Sequence, residues 1–167
     1  IKGRASKIDI TLKNGREVKI RDDGAGIPIT EHPQVEGKYT PEVVLTQLRS
    51  GSNFEDEERR TLGLYGVGVS LTTFFSSYLR VKIRRDGGTQ YEQEFRNNAK
   101  EKTEPTFKQV RLSNTFTEIL FEPDFDRFEA DSFDLDLVRK CLVDFAFCFP
   151  EVKFTLKVDK GDREEIR

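Results

Sequence analysis

Asp22-Asp23-Gly24-Ala25-Gly26-Ile27-Pro28 and, further along, Gly63-Leu64-Tyr65-Gly66-Val67-Gly68-Val69-Ser70 decide how this 167-residue chain is read. The first stretch ends an alternating run, so it puts a carboxylate at a strand end beside two glycines. A ligand ring can approach such a backbone closely because no Cβ stands in the way. An exocyclic amine such as the N6 amine of adenine can then donate to Asp22, with Ile27 and Pro28 as apolar wall. The second stretch leads into a helix, whose first N–H groups and dipole converge on a spot that favours negative charge. It is not a Walker A loop, since no Gly-Lys-Ser/Thr follows, and it lacks the buried strand a dinucleotide fingerprint requires. Each stretch alone reads equally well as a turn. In this order they read as one divided adenine-nucleotide site.

Working outward, residues 7–12 alternate apolar and polar with β-branched Ile8, Ile10 and Thr11, and Asn14-Gly15 is a hairpin turn into a strand over 17–21. Residues 30–39, with Pro33 and Gly37, read as a loop, and Thr40 as the N-cap of a helix over 41–48 opened by Pro41. The polar stretch 49–63 reads as a long surface loop. A helix is expected from Val69 to Ser76, then strands over 79–85, 89–96, 107–112 and 117–122, with Asp86-Gly87-Gly88 as a tight turn. An apolar stripe predicts a helix over 132–149, capped by Asp131 and stopped by Pro150, before a strand over 152–158 and a turn at 159–162. This order predicts an α+β domain, a two-layer α/β sandwich with a mostly antiparallel mixed sheet and its helices on one face.

A chain of 167 residues buries about 70% of its unfolded surface as one domain. Hydrophobic and charged contents of 35% each and a net charge of −2 describe an ordinary soluble domain without a global nucleic-acid-binding charge. The basic group Arg80, Lys82, Arg84 and Arg85, the acidic stretch 118–136, and Glu31, Glu36 and Glu42 all read as solvated charges. Cys141 and Cys148 are too far apart along one helix to bridge, and are expected to be reduced core thiols. His32, the only histidine, reads as a loop-surface residue, which excludes a histidine-based triad or zinc site. No apolar window spans a membrane and no leader opens the chain, so a cytoplasmic protein without a membrane partner is expected. The absence of methionine, even at position 1, suggests a piece of a longer protein.

The two stretches resemble the N2 and G2 boxes of the GHKL, or Bergerat-fold, ATPases. Their wording resembles the ATPase subunit of type IIA DNA topoisomerases, including gyrase B, topoisomerase IV B and the phage and eukaryotic enzymes. Asp22 to Pro28 is similar to that family's Asp-x-Gly-x-Gly-Ile-Pro, Ser50 to Phe54 to the opening of its ATP lid, Gly63 to Ser70 to its phosphate loop, and Thr117 to Asp124 to a strand ending in Pro-Asp.

The resemblance implies a Bergerat ATP-binding domain over residues 1–167 that lacks its N-terminal helix. Asp22 would hold the adenine N6, directly and through a water supported by Thr117, while Gly24, Gly26, Ile27 and Pro28 line the base. Leu64, Tyr65, Gly66, Val67, Gly68 and Val69 would wrap the triphosphate, Ser70 would begin the helix beneath it, and Asn53 stands where bacterial gyrases often carry a lysine near the phosphates. The implied cofactors are ATP and Mg2+, whose asparagine ligand is expected upstream of Ile1 together with the general-base glutamate, so no catalytic or metal residue is assigned within the chain. The implied partners are DNA, a DNA-cleaving subunit or domain, and a second copy joined on ATP binding. Location would be cytoplasmic, or nuclear or viral if the source is eukaryotic or viral. Ala25, Leu62, Tyr65 and Phe116 depart from the family wording and lean towards divergent members. Another GHKL ATPase, of chaperone, mismatch-repair or histidine-kinase type, and a non-hydrolysing nucleotide-binding module are the alternative readings.

Overall fold

Strand β1 (Lys7–Lys13) turns through Asn14 and Gly15, at φ 51° and 65°, into β2 (Glu17–Asp22). Positive φ at both central residues matches the right-handed twist of the strands, which is why Asn-Gly serves there. The structure, a computed structural model, describes residues 5–48, 67–111, 114–159, 161 and 163–166. A small hairpin, β3 (Glu31–His32) and β4 (Val35–Tyr39), leads into α1 (Thr40–Thr46). Helix α2 (Gly68–Phe74) precedes β5 (Ser76–Arg84), β6 (Thr89–Arg96), β7 (Glu101–Lys102) and β8 (Thr106–Gln109). Then follow β9 (Phe116–Pro123), α3 (Leu135–Cys148), β10 (Lys153–Val158) and β11 (Arg163–Ile166).

Among the described residues nine strands form one sheet in the order β11-β10-β1-β2-β9-β5-β6-β7, with β8 also paired to β6. Only β1 and β10 run parallel. Because side chains alternate along a strand, register neighbours share a face. Ile8, Asp22, Thr117, Ile83 and Tyr91 form one such row across β1, β2, β9, β5 and β6. All three helices lie on that face. Two apolar clusters fill the space beneath them. Leu142 of α3 packs on Ile10, Leu12, Val18, Phe154 and Leu156, and Leu45 of α1 on Leu79, Val81, Ile83, Tyr91 and Phe95, with Val69 of α2 against them. The opposite face carries a cross-strand ladder of charge, including Lys82 with Glu92 and Arg21 with Glu118. The expected fold class is the observed one.

Several local expectations need correction. Residues 30–39 are a hairpin, not a loop: the Thr40 amide and hydroxyl both donate to the Thr30 carbonyl, at 2.9 and 3.0 Å, closing it. Thr40 is therefore the first helical residue rather than the cap, and no side chain caps α1. Helix α2 stops at Phe74, and the chain pairs as β5 from Ser76. Helix α3 begins at Leu135, capped by the Asp134 carboxylate, which accepts from the Asp136 and Leu137 amides, in place of Asp131. Cys141 and Cys148 are exposed, not core, because α3 seats Leu142 and leaves both sulfurs on its outer side. Strands β7 and β11 escaped the pattern because short polar edge strands have no apolar alternation to reveal them. The expected loop over 49–63 lies outside the described residues.

Candidate functional site

Asp22 is the last residue of β2, delivered by the hairpin to the end of the sheet on the helix side. Its Oδ1 accepts the Gly24 amide at 2.8 Å, so the chain turns back over the strand end. Burial raises its carboxyl above the usual aspartate range, against the Gly24 and Thr117 amides, which stabilise the anion. Thr117 is its register neighbour on β9, so the two predicted residues stand side by side. Next along the face, Ile20 is 38% exposed although it sits mid-sheet on the side the helices cover. Among the described residues the sheet face beside Asp22 is thus accessible at Ile20. A cavity of about 390 Å³ also opens at these strand ends, reaching from Asp22 past Lys7 and Arg21 to Asn114.

The glycine loop is shaped by its own protein. Gly26 has φ +77°, and a Cβ there would lie 2.8 Å from the Arg84 carbonyl oxygen and 3.0 Å from Ile83 Cγ2. Its smallness serves the approach of the loop to β5, where ligand access alone had been expected. Arg85 completes the clamp: Nη1 donates to the Ala25 and Gly26 carbonyls at 3.1 and 2.6 Å. Arg85 was expected to be a solvated charge, and its role escaped sequence reasoning because Arg84 and Arg85 fall on opposite sides of the sheet. Arg84 points the other way, its guanidinium 4.8 Å from the centre of the Phe116 ring, while Arg21 lies 3.7 Å from that ring. Phe116 is 2% exposed, so its ring fills a slot between two cations. Asp23 faces away from Asp22: its carboxylate accepts the Ser6 amide, the Ser6 hydroxyl and the Lys7 amide at 2.6 to 2.9 Å. Those bonds, outweighing burial, hold it below the usual range and tie the loop to the start of β1.

Of the second stretch, Val67, Gly68, Val69 and Ser70 are described, while Asn53, Leu64, Tyr65 and Gly66 lie outside the described residues. Nothing lies within 4 Å of the position a Cβ on Gly68 would take. The Ser70 hydroxyl is buried and donates to the Val67 carbonyl at 3.0 Å, bracing the first turn of α2. The two stretches do converge. Ile27 from the first and Val69 from the second pack against the same apolar cluster. Glu31 and Glu36 are exposed as expected, whereas Glu42 is buried, at 4% exposure. Glu118, in the acidic stretch expected to be solvated, is buried as well and faces Arg21.

No family model matches the chain. The B-type subunit of the type 2 topoisomerase of Aquifex aeolicus is 35% identical over 179 residues, an alignment that takes in 100% of this chain and 22% of that protein. The B-type subunit of DNA topoisomerase 4 of Staphylococcus aureus is 33% identical over 166 residues, covering 98% of the chain and 24% of the relative. The solved ATPase region of Saccharomyces cerevisiae topoisomerase II, bound to ICRF-187 (dexrazoxane), superposes with a TM-score of 0.83 at 26% identity. It covers 97% of this chain and 43% of the solved one. Over its whole length the chain is similar to type II topoisomerase subunits, and it shares the fold of a solved topoisomerase II ATPase region. It spans less than a quarter of the curated relatives it matches.

Proposed function

We propose that residues 1–167 hold the adenine nucleotide of an ATP-dependent type II DNA topoisomerase, and that they form a single domain for that task. The observation that carries this reading is Asp22, a half-buried carboxylate beside Thr117 and the exposed Ile20, at the head of a loop that shares an apolar cluster with the start of α2. The Gly24 and Thr117 amides stabilise the Asp22 anion against burial, and a carboxylate in that form is an acceptor only, which selects a ring that offers an amine. Gly24, Gly26, Ile27 and Pro28 line the base, with Arg85 and Asp23 keeping their loop in place. Leu64 to Ser70 and Asn53 belong to the triphosphate side.

ATP bound there supplies the phosphoanhydride whose cleavage drives the parent enzyme. The chain's own residues bind and orient it. Glu31 and Glu36 sit on the exposed hairpin and Glu42 is enclosed by β6 and β7, so none of the three is placed as a general base. Among the described residues no three histidine, cysteine, aspartate or glutamate side chains converge to hold a metal. Dimerisation on ATP, passage of DNA, a DNA-cleaving partner and a cytoplasmic location are proposed for the parent protein, supported by the topoisomerase subunits it resembles.

The test uses the full-length protein and two triphosphates, ATP and inosine triphosphate, which lacks the amine. The unaltered protein should prefer ATP, and Asp22→Ala should weaken ATP binding by about tenfold or more while erasing that preference. Asp22→Asn should also weaken ATP yet melt no lower than the parent, since the raised carboxyl already opposes folding in its ionised form. Unchanged ATP affinity in both variants refutes the adenine role.

A further inference from the structure

Glu42 is the only charged side chain of α1, and it is enclosed where a solvated charge was expected. Its Oε1 receives Lys102 Nζ of β7 at 2.7 Å and Lys38 Nζ of β4 at 3.4 Å. Its Oε2 receives Gln93 Nε2 of β6 at 3.2 Å. Gln93 is in turn fixed from both ends: its Oε1 accepts the Tyr91 hydroxyl at 2.5 Å and its Nε2 donates to the Thr103 carbonyl at 2.9 Å. Burial alone would raise the Glu42 carboxyl, but Lys102, Gln93 and Lys38 outweigh it and hold the group below the usual range. Burial and the nearby Glu42 charge together push the Tyr91 hydroxyl up.

An arrangement of this kind is a poor way to gain stability, since apolar residues of similar volume hold two elements together at least as well. What it adds is direction: three strands each place a donor on one carboxylate, which leaves α1 a single seat. That seat matters to the nucleotide site. Helix α1 packs against α2. Leu45, one turn after Glu42, is fully buried in the cluster that receives Ile27 of the Asp22 loop and Val69 of α2.

We propose that Glu42 is a positioning residue for nucleotide binding: held by Lys102, Gln93 and Lys38, it sets α1 so that Leu45 supports both the Asp22 loop and the start of α2. The proposal rests on the nucleotide-site reading above. It assigns Glu42 no contact with ATP and no part in proton transfer.

The experiment measures KM for ATP, kcat and melting temperature in the full-length protein. Lys102 is half-exposed at the far end of the network, so Lys102→Met folds without leaving a cavity and keeps the test clear of misfolding. Lys102→Met and Glu42→Gln should each raise KM for ATP by about fivefold to tenfold with kcat within about twofold of the parent. Lys102→Arg should restore the KM, because it returns a cation to Glu42. A lowered melting temperature with unchanged KM in both variants overturns the proposal and leaves Glu42 a purely structural group. If the unaltered protein itself binds no ATP, the nucleotide reading fails and this proposal falls with it, an outcome distinct from a silent variant.

Discussion

Helices α1 and α3 lie on the same sheet face and are seated in opposite ways. Of the seven residues of α1, four are buried: Pro41, Glu42, Val43 and Leu45. Of the fourteen of α3 only Leu142 is, while Leu137, Val143, Phe145 and Phe147 stand exposed, Phe147 at 89%. Length and apolar content would have ranked them the other way. The difference shows that a helix is held by how much of its surface finds a partner, and that the tightly held helix is the one that borders the proposed nucleotide site.

The largest expected effect separates the two directly. Leu45→Ala should cost about 2–5 kcal/mol of unfolding free energy, because Leu45 is enclosed on all sides and the cavity cannot collapse. Leu142→Ala, at the rim of its cluster with 9% exposure, should fall at the low end, about 2 kcal/mol. Urea unfolding of both variants checks the ranking, and a costlier Leu142→Ala would break the comparison.

A smaller effect follows from acid. The Glu42 carboxyl is held below its ordinary value of 4.5, so the unfolded chain takes up a proton there before the folded one does. Its contribution to stability is complete above about pH 4.5 and is lost as the pH falls through the lowered value. Glu42→Gln should flatten this acid limb, measured by unfolding between about pH 3 and about pH 6. An unchanged pH dependence would mean that the network around α1 does not hold the ionised form. The smallest effect belongs to α3, where Phe147→Ser should change stability by no more than about 0.5 kcal/mol, since the ring is nearly free of contacts.

Much of the site is legible in the order of the residues alone. Period-2 alternation in β1 and β2, with Asn14-Gly15 between them, is enough to carry Asp22 to a strand end, whereas the close approach of Gly26 to β5 is set by the fold. Glu42 and Arg85 were misread for the same reason: a charged side chain reads as solvated unless its partners are known. Those partners are remote, 60 residues away for Lys102 with Glu42 and 59 for Arg85 with Gly26. The exposed cysteines of α3 are the inverse case, since an apolar stripe promises a buried face without saying how wide that face is.

By itself the sequence determined the elements that local chemistry controls: the alternation that makes strands, the turn that joins them, the carboxylate and glycines at their end, and with them the resemblance to the topoisomerase ATPase region. Tertiary structure alone decided which charges are buried, which helix is firmly seated, and that Ile27 and Val69 meet on one apolar cluster. The physical reason is that propensity and periodicity act between near neighbours. Burial and ion pairing depend on register across β5, β6 and β9, which brings residues far apart in the chain onto one face of the sheet.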